Sequence, residues 1–250
     1  MKITASRWVP AVVAACSLFL AVSAFAADET YAVVALFGDD LTVVSYQSTT
    51  GSSLDRNVQQ HVALNDGRYD RLATEASMTA IRNALPGARI EALTIPDEAL
   101  AGGLDASLPS LIETVKGKLK EPDTHYLLVI GKYRGDAHLK MASGTIGSGK
   151  LEGIGFYIDS YVRMKQSNTG ESGRGFVAPF AYLTVSLVDL RTGAVVRSES
   201  VSESMTRANT GPSTTLNPWD AMTPEQKVRS LDVVVRKALL WAVPRVVAPA

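Results

Sequence analysis

Between residues 88 and 134 the spacing of apolar side chains changes twice, and that change decides the fold class. "ARIEALTI" (88–95) reads as a strand, closed by Pro96. Leu108, Leu111, Ile112, Val115 and Leu119 then follow at helical spacing, predicting a helix near 107–120 that Pro122 closes. "HYLLVIGKYR" (125–134) is again a strongly apolar strand. A strand, a helix and a second strand at this separation close as a parallel pair with a right-handed crossover.

The flanking segments extend this unit without repeating it. "YAVVALF" (31–37) and "LTVVSYQ" (41–47) are β-rich runs separated by Gly38-Asp39-Asp40, the pattern of a hairpin. Residues 69–85 read as a helix with Leu72, Ala76, Ala80 and Ala84 along one stripe, stopped by Pro86-Gly87. "FAYLTVSLVDLRTGAVVRSESVS" (180–202) alternates as an antiparallel hairpin turned at Gly193, with Arg197, Glu199 and Glu203 guarding an edge. The last helix starts with Thr223 as cap and Pro224 in its first turn, and runs to Val243 before Pro244. Its expected buried stripe is Val228, Leu231, Val235, Leu239 and Ala242. The expected class is α/β (α+β): a mixed parallel and antiparallel sheet with about three helices packed on it. Residues 131–175 hold 10 of the 19 glycines and read as a long excursion, an insertion at about 135–179 in one domain spanning 27–250.

The first residues say where such a domain works. Lys2 and Arg7 form a short basic head, and no charge occurs from Trp8 to Ala27. Ala24 and Ala26 have the small-x-small spacing of a processing site, so 1–26 reads as a signal peptide cleaved after Ala26. Its rivals are an uncleaved anchor, since 20 uncharged residues could cross a bilayer, and lipidation at Cys16. Cleavage removes the only cysteine and leaves 23 basic against 25 acidic side chains, a net charge of about −2. The thiol-free remainder suits an oxidising compartment, and the near-neutral charge argues against nucleic acid, whose phosphates demand a basic surface. The expected location is the periplasm, with no transmembrane span after cleavage.

The adjacent carboxylates Asp39 and Asp40 are the first candidates for chemistry. "FGDDL" resembles the GDSL box of one esterase class, but Asp39 stands where the serine nucleophile belongs. A carboxylate pair could act as acid and base or bind a metal. No second Asp, Glu or His cluster is spaced to complete a coordination sphere, and His61, His125 and His138 are scattered. The reading is a turn, with a carboxylate-dependent hydrolase centred on Asp39 and Asp40 as the alternative. "GTIGSGKL" (144–151) matches a phosphate-binding loop through Lys150, but Leu151 replaces the magnesium-holding hydroxyl and no helix follows. No nucleotide, metal or other cofactor is therefore expected.

What remains is the glycine-rich excursion. Tyr133, Arg134, Phe156, Tyr157, Tyr161 and Arg163 mix aromatic and basic groups there, with Lys165, Arg174 and Phe176 nearby. Such residues are enriched at binding hot spots, so they form the candidate binding surface; the competing reading makes the rings core. "DTHYLLVIGKYR" and "YLTVSLVDLRTGAVVRSES", in this order of elements, resemble the small α/β domain of bacterial envelope proteins. That group includes the TolB amino-terminal domain, the periplasmic domain of the curli secretion channel and the lipoprotein activators of penicillin-binding proteins. The resemblance implies a non-catalytic assembly or regulatory role, with another envelope protein or complex as partner.

Overall fold

The computed structural model describes residues 29–38, 40–48, 57–64, 66–95, 104–165, 169–210 and 217–248. Residues 1–28, with Cys16 and the expected cleavage site, and Asp39 lie outside them. Strands β1 to β5 are Thr30–Ala35, Asp40–Ser45, Val58–Ala63, Arg89–Ala92 and Tyr126–Lys132. Three short strands follow, β6 Arg134–Asp136, β7 Leu139–Met141 and β8 Gly144–Ile146. The last four are β9 Lys150–Lys165, β10 Ser172–Asp189, β11 Ala194–Ser204 and β12 Arg207–Thr210. The helices are α1 Arg68–Ala84, α2 Leu104–Lys116 and α3 Pro224–Val247, with a short 3-10 turn at Pro218–Ala221.

The 18-residue strand β10 is the spine of the sheet. Along one edge its first part pairs antiparallel with β9, and from Leu183 onward it pairs with β5. Along the other edge it pairs with β12 and then β11. One half of the sheet therefore runs β11-β10-β5-β1-β4, with β1 parallel to both β4 and β5. The other half runs β12-β10-β9-β2-β3, with β2 parallel to β9 and antiparallel to β3. The mixed sheet and its three helices match the expected class.

Both faces of the sheet are covered, which is why β1 and the middle of β10 are nearly continuous apolar runs. Helices α1 and α3 bury Leu72, Ala76, Ile81, Leu231, Val235 and Leu239 against one face. Helix α2 covers the β1-β5 region of the opposite face through Leu111, Ile112 and Val115. Over the β9-β10 region that face is closed by the flap 134–149, which inserts Ala137 and Leu139 among Tyr157, Phe176, Phe180 and Tyr182. Helix α3 begins on a full capping box, with the Thr223 hydroxyl accepting from Gln226 N and Gln226 Oε1 accepting from Thr223 N.

Several expectations are corrected. First, β1 and β2 do not form a hairpin: they lie in different halves of the sheet, and Gly38, at φ 76°, sits where the chain leaves one for the other. Hairpin chemistry is local, whereas the partners that bury β1 on both edges lie about 60 and 95 residues further along. Second, the stretch read as an excursion supplies the sheet's longest strands, β9 and β10. Its glycines allow close backbone approach: a Cβ on Gly155 would lie 1.8 Å from Thr42 O, and one on Gly173 would lie 1.9 Å from Asn209 O. Third, α3 runs through Pro244 to Val247. A proline there removes one backbone bond, while Val243, Val246 and Val247 remain buried on the helix. Val228, placed in the buried stripe by spacing, is exposed.

Candidate functional site

Asp40 opens β2 beside two potential cations. Its Oδ1 lies 3.0 Å from Lys132 Nζ and its Oδ2 lies 2.6 Å from His61 Nδ1. Partial burial pushes this carboxyl up, but the bonds to Lys132 and His61 outweigh it and hold the group below the ordinary aspartate value. Such a group stays ionised and is poorly suited to donate a proton at neutral pH. This contact ties β2, β3 and β5 together. The glycine-rich "GTIGSGKL" turn leads into strand β9, and Lys150 Nζ lies 2.7 Å from Asp136 Oδ1.

The six residues of the expected binding surface are not brought together in one place. Phe156 and Tyr157 are core side chains on β9; Phe156 packs edge-on to Trp219 and Tyr157 stacks on Phe176. The Tyr157 hydroxyl accepts from Ser148 N at 3.3 Å, inside the flap. Tyr133 is half-buried and stacks on Tyr182, while Arg134 pairs with Glu152 at 3.2 Å. Tyr161 and Arg163 are exposed towards the far end of β9, with Tyr161 edge-on to Tyr46. Alternation along a strand buried on both faces sends these neighbours to different places.

A concave feature of the described residues lies elsewhere. A cleft of about 870 Å³ opens between the β7-β8 turn, the end of β9, the β11-β12 link and the start of α3. Its walls bring together Met141, Met164, Met205 and Met222, four of the chain's six methionines. Lys165, Arg207 and Arg229 line it as well, and among the described residues no carboxylate or imidazole does. Among the described residues these three cations have no ion-pair or hydrogen-bond partner. The walls are held in register by Glu203, whose side chain is only 11% exposed. It bridges Lys140 on the flap at 2.6 Å and Lys237 on α3 at 3.4 Å. Lys140 N also donates to Ser204 Oγ at 2.8 Å, so Met141 is placed from both sides of its neighbour. The 3-10 turn and the Thr223 cap set Met222, Gln226 and Arg229 on the opposite wall.

None of these residues stands out in the sequence. They come from five separate segments between 141 and 233, with no shared spacing; the only trace is the concentration of methionine from 141 to 222.

No family model matches the chain, and no curated protein matches it. Solved structures to which the chain is similar include a neuraminyllactose-binding hemagglutinin homolog from Helicobacter pylori, with 6% identity and a TM-score of 0.40, covering 88% of this chain and 86% of that one. A PelC dodecamer from Paraburkholderia phytofirmans shows 12% identity and a TM-score of 0.30 over 90% and 87% of the two chains. A lipoprotein from Neisseria meningitidis shows 14% identity and a TM-score of 0.30 over 76% and 90%. These are bacterial proteins, one of them a lipoprotein and one an oligomer; likeness at this level carries nothing about the activity of this chain. Among the described residues, no helix is long and apolar enough to cross a membrane.

Proposed function

We propose that this chain is an exported, non-catalytic binding protein of the bacterial cell envelope, and that it binds through the methionine-lined cleft. The cleft carries the reading. Among the described residues its lining offers thioethers, hydroxyls, amides and cations, but no carboxylate or imidazole to serve as a general base. Its volume lies in the range of small-molecule and peptide sites, roughly 300–1,000 Å³. The uncharged N-terminal segment supports export, and the thiol-free remainder fits an oxidising compartment. A partner in the envelope, whether protein or complex, would engage the same face.

A photo-crosslinking residue at Val233, on the cleft lip, tests this in living cells against the same residue at Glu75, exposed on α1. An adduct from position 233 alone, on a protein whose intact mass starts at Ala27, is the expected result. Equal labelling at both positions, or full-length chain retained in the cytosol, overturns it.

A further inference from the structure

We infer that the cleft is a binding site for an anionic amphiphile, an acyl chain ending in a carboxylate or a phosphate. This rests on the cleft being the binding site and adds the chemistry of what enters it.

The apolar part comes from the four methionines. Met164 and Met222 are buried floor, whereas Met205 and Val233 leave 43% and 41% of their surface exposed at the lip. Unbranched thioether side chains adapt to a ligand that changes shape, as a flexible acyl chain does. Among the described residues no aromatic ring lines the cleft, so these walls offer no stacking platform for a nucleobase.

The polar part comes from Lys165, Arg207 and Arg229. Three cations around one concavity, without partners among the described residues, raise the local potential and favour an anion. Two carboxylates of the surrounding elements are engaged elsewhere: Glu203 by Lys140 and Lys237, and Asp232 by Arg68 at 2.6 Å. The chain as a whole carries 25 basic and 25 acidic side chains, so this excess is local and not compositional. Thr206 adds a buried hydroxyl without a hydrogen-bond partner in the same wall.

Equilibrium binding of palmitate, lysophosphatidylglycerol and uncharged hexadecanol to the processed chain tests the assignment, with native mass spectrometry for stoichiometry. One molecule of an anionic amphiphile per chain is expected, at least tenfold tighter than hexadecanol. Palmitate and lysophosphatidylglycerol separate a carboxylate preference from a phosphate preference. An Arg207→Gln/Arg229→Gln variant, altered only at exposed side chains, should melt like the parent and lose at least tenfold in affinity for the anionic ligand. Met205→Asp should lose binding of all three. Equal affinity for hexadecanol, or an unchanged affinity in the arginine variant, overturns the inference. If no amphiphile binds while position 233 still crosslinks a protein partner, this inference fails and the cleft reading stands. If neither is seen, both fail.

Discussion

The Tyr182 hydroxyl lies between two backbone groups of the flap, accepting from His138 N at 3.0 Å and donating to Asp136 O at 2.9 Å. Its ring is buried in the sheet and stacks on Tyr133. One side chain of β10 thus satisfies both polar groups at the point where the flap turns over the core. Tyr182→Phe keeps the ring and strands both groups, for an expected loss of about 2 kcal/mol in urea unfolding. Amide exchange at His138 should rise more than at β5, because the flap loosens before the sheet does.

The Thr223 cap is the second joint. Thr223→Ala removes the acceptor for Gln226 N and should cost about 1 kcal/mol by thermal melting. Because Gln226 and Arg229 follow this cap on the cleft wall, the same variant should also weaken binding at the cleft. A control at Thr79, whose hydroxyl donates to Glu75 O within α1, should leave binding unchanged.

The helices and the β10-β11 hairpin were legible because their signals are local: apolar spacing in α1, a Thr223 cap followed by Pro224, a glycine turn at Gly193. Strand pairing was not local. Gly38 looks like a hairpin turn, but β1 is claimed on both edges by β4 and β5. Glycines 153, 155, 173 and 175 look like loop residues, but they permit strands to approach or bulge, as at Gly175, which has φ 82° where the register of β10 shifts. The candidate site was the least legible part. Tyr157 and Tyr161 share a strand and a residue type, yet one is core and the other surface; the cleft residues share neither element nor spacing.

The glycine argument gives its own test. In Gly155→Ala the new Cβ would meet the Thr42 carbonyl oxygen at 1.8 Å, forcing β2 away from β9. The expected destabilisation is about 3 kcal/mol or more by chemical unfolding, beyond ordinary surface substitutions. Gly144→Ala has open space at its Cβ, and its cost should be limited to backbone strain from φ 139°. If Gly155→Ala is the milder variant, the close approach does not hold these strands.

Asp40 makes stability depend on pH in one direction. Its carboxyl is held below the ordinary value of 3.8 in the folded chain, although burial alone would raise it. A depressed folded value means the stabilisation is fully present above the unfolded value and is lost as pH falls through the folded one. The carboxylate is 32% exposed, so screening limits the pair with Lys132 to about 1 kcal/mol. Asp40→Asn should therefore lower the urea midpoint at pH 7 and match the parent at a pH well below the ordinary value. A gap that persists in acid would assign the effect to packing.

Tyr157 and Tyr161 separate core from surface on a single strand. Tyr157 is fully buried against Phe176 with its hydroxyl in the flap, whereas Tyr161 is 48% exposed and touches Tyr46 edge-on. Tyr157→Ala leaves a ring-sized cavity and the Ser148 N–H without its acceptor, for an expected loss of about 3–5 kcal/mol. Tyr161→Ala forfeits one edge contact and partial burial, about 1 kcal/mol or less. Paired urea titrations of the two variants check this. If Tyr161→Ala instead abolished partner capture at full stability, the end of β9 would be a binding surface in its own right, since Tyr161 does not line the cleft.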